Sequence, residues 1–101
     1  MTELPDVDRK RFERDGEVRV FPRGRFEVVQ IGGLTIGRAS YDPGWRWSVD
    51  IGPALGASRC TVEHVGLVVS GSVAVASDDD RVITLNAGEL FYIPAVPHDS
   101  W

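Results

Sequence analysis

At 101 residues the chain holds one domain's worth of core, and a domain of that size buries roughly 60 per cent or more of its unfolded surface. A hydrophobic fraction of 43% beside a charged fraction of 26% marks an ordinary globular composition, and a net charge of -4 provides no basic face for a nucleic-acid partner. No apolar run reaches the length of a membrane span, and the single cysteine, Cys60, excludes an intramolecular disulfide. With no signal-peptide core in the first thirty residues, the expected location is the cytoplasm.

Residues 1–16 are polar and of mixed charge, with too little apolar periodicity for a stable helix, and read as an N-terminal arm. From Glu17 onward the pattern is short strands between turns. Residues 18–21 run into Pro22 and Gly24. Residues 26–31 run into Gly32-Gly33, a strong hairpin signal, and residues 34–41 into Asp42-Pro43-Gly44. Residues 45–51 read as a further strand, and residues 52–58 as a loop.

The longest β-rich run is residues 60–69. Alternation places Cys60, Val62, His64 and Val68 on one face, and Val65, Leu67 and Val69 on the other. An imidazole among valines must find a partner, a water or a metal, because leaving it unpaired in a dry core costs a few kcal/mol. Residues 73–76, an acidic hairpin tip at Asp78-Asp79-Asp80, and residues 81–85 follow. Gly88 then opens a run from Leu90 to Ile93 that Pro94 stops, and Pro97 holds His98 just beyond it. Strands at such spacing predict an all-β sandwich or barrel over residues 17–101.

The order of these features resembles the cupin superfamily of small β-barrels, in particular its single-domain bacterial members. Cupins carry a first motif G-x5-H-x-H-x3-4-E-x6-G and a second, G-x5-P-x-G-x2-H-x3-N. Gly44 and Gly71 match the outer glycines of the first motif; Gly88 and Pro94 match the opening of the second, and His98 falls one residue before its histidine. Asp50 and Gly52 stand where the family has its two histidines, and His64 where it has its glutamate. The resemblance implies a jelly-roll barrel, truncated at its C-terminal end because Asp99-Ser100-Trp101 reads as the start of a strand.

It also implies a barrel-interior site for a small molecule. The ligand pocket is expected to comprise Arg46, Ser48, Cys60, Val62, His64, Val68 and His98. A divalent metal (iron, manganese, nickel or zinc) would be held by Asp50, His64 and His98, one carboxylate and two imidazoles; the opposing expectation is a site with no metal. Binding, metal-dependent oxygenation or isomerisation of a small organic acid, and a filled structural barrel are the three functional readings. With Asp50 inward, alternation sends Trp45 and Trp47 outward; a bulge at Gly44 would instead bring the tryptophans into the pocket and take Asp50 out of it. Together with Val65, Leu67 and Val69 they predict a covered outer face and a homodimer.

Overall fold

A computed structural model describes residues 6–101; the first five residues of the expected arm lie outside them. The chain divides into two compact units, one ending at Asp42 and the other spanning Pro43–Trp101.

The first unit is a three-stranded antiparallel meander preceded by a single helical turn. The turn is α1 (Phe12–Asp15), and the strands are β1 (Glu17–Phe21), β2 (Gly24–Ile31) and β3 (Leu34–Tyr41), in the order β1-β2-β3. Gly32 and Gly33 form the predicted two-residue hairpin, both with positive φ (55° and 76°), a conformation that glycine adopts without a Cβ clash. Glu27 on β2 is buried yet paired. Its cross-strand neighbour Arg38 donates to it at 2.8 Å and to Glu13 at 3.0 Å, and the guanidinium lies over the Phe12 ring, 4.6 Å from its centroid. Arg38 therefore ties α1 to the sheet, so the part of the N-terminal arm from Phe12 to Asp15 is docked.

The second unit opens with two short helices, α2 (Trp47–Asp50) and α3 (Gly52–Leu55). It continues through β4 (His64–Leu67), β5 (Ser72–Ser77), β6 (Val82–Asn86), β7 (Leu90–Ile93) and β8 (His98–Ser100). β4 pairs with β7, and β5 lies between β6 and β8; all these pairings are antiparallel.

Three expectations are corrected here. Residues 45–51 are not a strand. The Asp50 carboxylate accepts the Arg46 N–H at 2.9 Å and that of Asp99 accepts the Ser48 N–H at 3.0 Å, so two of the orphan donors of a helix start are satisfied and the segment turns. Trp45, expected outside, is buried with 4% of its surface exposed. The jelly-roll barrel expected over residues 17–101 is not closed: the strands of the described residues form separate sheets of three, two and three strands. Two physical causes are visible in the second unit. Its opening segment is helical, and of residues 60–69 only His64–Leu67 pairs as a strand.

Candidate metal centre and cleft

Cys60 and His98 are joined by an isolated antiparallel bridge. Cys60 N–H donates to the His98 carbonyl at 2.9 Å, and His98 N–H donates to the Cys60 carbonyl at 3.0 Å. Directly opposed, hydrogen-bonded residues of this kind hold their side chains on a common face. His64 opens β4 four residues after Cys60, and its Nε2 lies 3.4 Å from the Cys60 Sγ. The His64 and His98 rings meet edge to face, with centroids 5.6 Å apart and planes at 81°. One donor atom from each of Cys60, His64 and His98 lies within 4.8 Å of the other two. Cys60 and His98 are buried and His64 is half-buried, so this group can hold a metal ion.

The protonation pattern suits that use. His98 Nδ1 lies 2.8 Å from the Val96 carbonyl oxygen. A carbonyl only accepts, so Nδ1 carries the hydrogen and, in the neutral ring, Nε2 retains its lone pair. A backbone carbonyl on the far nitrogen is a common way to orient a ligating imidazole. Burial, and repulsion from the neighbouring His98 ring whenever that ring is protonated, push the His64 pKa below its usual 6.5 and favour its neutral, ligating form.

His98 also borders a cleft of about 200 Å³. Its walls are largely apolar: Val75 from β5, Ile83 and Leu85 from β6, Phe91 and Ile93 from β7, then Val96, with Ser77 and Tyr92 as the polar additions. The Tyr92 hydroxyl donates to Glu63 at 2.6 Å. That bond, followed by burial and the Glu63 charge, raises the phenol above its usual 10.0.

The expected pocket residues separate into three places. Cys60, His64 and His98 come together. Arg46 and Ser48 lie instead around buried Asp99, with Arg46 Nε 3.0 Å and Ser48 Oγ 2.7 Å from Asp99 Oδ2, and the Arg46 guanidinium stacked 4.3 Å from the centroid of a Trp101 ring. Val62 is exposed and Val68 half-buried; neither lines the cleft. Asp50, expected among the metal ligands, is buried with its carboxylate on the Arg46 N–H, and the donor group contains Cys60 in its stead. The cleft walls were not singled out from the sequence, although Val75, Leu85, Phe91 and Ile93 each occupy alternating positions of short strands, which was the available signal. Asp99 left no such signal.

No protein-family profile, curated protein or solved structure matches this chain.

Proposed function

We propose that the Pro43–Trp101 unit is a small-molecule binding module that holds one divalent metal, iron, manganese, nickel or zinc, on Cys60, His64 and His98. The observation that carries this reading is that His98 belongs both to the three-donor group and to the wall of the cleft. A ligand seated in the cleft would thus lie beside the metal. The cupin-like order of Gly88, Pro94 and His98 supports the same pairing of metal and small ligand, in a protein of the cytoplasm. The cleft favours a binding role over a filled structural module.

Binding is preferred to oxygenation or isomerisation because general acid–base work needs a proton-transfer group within hydrogen-bond reach of the ligand. His98 is assigned to the metal and the Tyr92 hydroxyl is engaged with Glu63, which leaves Ser77 as the remaining polar wall. The exposed apolar face formed by Val65 and Leu67 of β4 with Leu90 and Tyr92 of β7 supports a homodimer.

Elemental analysis of protein purified without added metal tests the metal. Near-stoichiometric metal, lost in His98→Ala, is the expected outcome; metal absent from every preparation, with stability indifferent to its addition, would sink the reading. The cleft is tested by NMR against a set of small carboxylic acids and neutral aromatic fragments. Shifts confined to Val75, Leu85, Ile93 and Val96, and abolished in Leu85→Trp, are expected.

A further inference from the structure

The donor set is more specific than the presence of three ligands. It contains a thiol and two imidazoles, and among the described residues the group includes no carboxylate. Thiolate and imidazole donors suit zinc and its mimics, whereas oxygen-rich sets and the two-His-one-carboxylate triad suit manganese and non-haem iron. The spacing agrees. Zn–S near 2.3 Å and Zn–N near 2.05 Å at a tetrahedral angle put sulfur and nitrogen about 3.6 Å apart, and Cys60 Sγ stands 3.4 Å from His64 Nε2.

The position of the three residues in the sheets carries the rest. His64 is the first residue of β4, which pairs with β7; His98 is the first residue of β8, which pairs with β5. The two histidines therefore stand on different sheets. Cys60 sits between them, bonded through its backbone to His98 and through its sulfur to His64.

Resting on the metal reading above, we infer that Cys60, His64 and His98 form a three-ligand thiolate centre for a zinc-class ion, and that the ion staples β4 to β8. The fourth coordination position is left for water or for a ligand in the cleft beside His98. Because the staple exists only when both sheets are in place, the ion binds the folded chain in preference to the unfolded one. At free metal a hundred times Kd, the folding equilibrium then shifts about a hundredfold toward the native state.

Cobalt(II) is the probe. Added to metal-free wild-type protein it should give a thiolate-to-cobalt charge-transfer band in the near ultraviolet and the intense visible bands of a four-coordinate ion. Both should disappear on adding one equivalent of zinc. Zinc should raise the thermal midpoint of the wild type, manganese should not, and Cys60→Ser should lose the charge-transfer band and most of the zinc-dependent shift. The wild-type spectrum needs no variant, so it stands even where Cys60→Ser folds poorly.

Weak six-coordinate bands without a thiolate component would overturn the inference. So would manganese stabilising the chain as well as zinc does. Fragment shifts in the cleft alongside either result would leave the small-molecule reading in place while the zinc staple falls. Failure of every metal to bind would remove the staple and the metal half of the proposed function together.

Discussion

Asp99 has 4% of its surface exposed and receives four hydrogen bonds: from the Ser48 N–H and hydroxyl, from Arg46 Nε, and from the Ser100 N–H. Burial pushes its carboxyl up, but the Ser48 hydroxyl, Arg46 and the two backbone donors outweigh that effect and leave it below the ordinary 3.8. The folded state thus favours the ionised form. This contribution is complete above the unfolded pKa and is lost as pH falls through the lower folded value. Replacing one oxygen by an NH₂ group in Asp99→Asn removes the charge and sets a donor against donors. A loss of about 2 kcal/mol at pH 7 is expected, the size of a charge-assisted hydrogen bond. Urea unfolding at pH 7 and again near pH 3 checks it: the gap between wild type and variant should narrow in acid. The sequence does not advertise this residue. Asp99 satisfies a helix start 51 positions earlier in the chain, and a contact of that range leaves no periodicity or local motif. His98 beside it was legible, since a histidine placed by two prolines just past an apolar run is a local pattern.

At the scale of elements, the hairpins were readable because their causes are local. Gly32-Gly33 adopts positive φ at both positions, and β5 and β6 flank the acidic tip where Asp80 also has positive φ. Residues 45–51 depart from their strand pattern for the opposite reason. Their apolar alternation is real, but the carboxylates of Asp50 and Asp99 complete a helical turn in which the intervening tryptophan lies half-buried. The β4–β7 ladder shows a second effect invisible in a single strand. Gly66 stands opposite Phe91, and a Cβ on Gly66 would lie 2.5 Å from the tip of the Phe91 ring. The ring covers the glycine, as aromatic residues often do across a sheet, and the same ring lines the cleft. Gly66→Ala should therefore tilt Phe91 away. A cost of about 1–2 kcal/mol is expected from overpacking, seen as a lower urea midpoint. The NMR signals of Phe91 and its cleft neighbour Ile93 should move, while those of β6 at Val82, whose side chain is exposed, should not.

For the whole molecule, a β-rich class was legible from strand spacing, but the number of compact units was not. Asp42-Pro43-Gly44 reads as one more turn between strands, yet the boundary between the two units falls there. The information that separates them lies in what pairs with what: β3 ends a meander that is complete in itself, and the helices that follow supply no further strand to it. The homodimer proposed above would use a face of the second unit. Register puts Val65 opposite Tyr92 and Leu67 opposite Leu90, all four side chains exposed. A contiguous apolar patch of that kind on a two-stranded ladder is an uncommon surface for a monomer, and two copies meeting face to face would bury it symmetrically. Light scattering should then give twice the chain mass at micromolar concentration. Val65→Lys with Leu90→Lys places a charge on each strand of that face and leaves Gly66, Phe91 and the three donors in place, although Leu90 also borders the cleft. The double variant should run as a monomer that still gives the wild-type cobalt spectrum. A wild type that is monomeric across the accessible concentration range would instead show that this face is left in water.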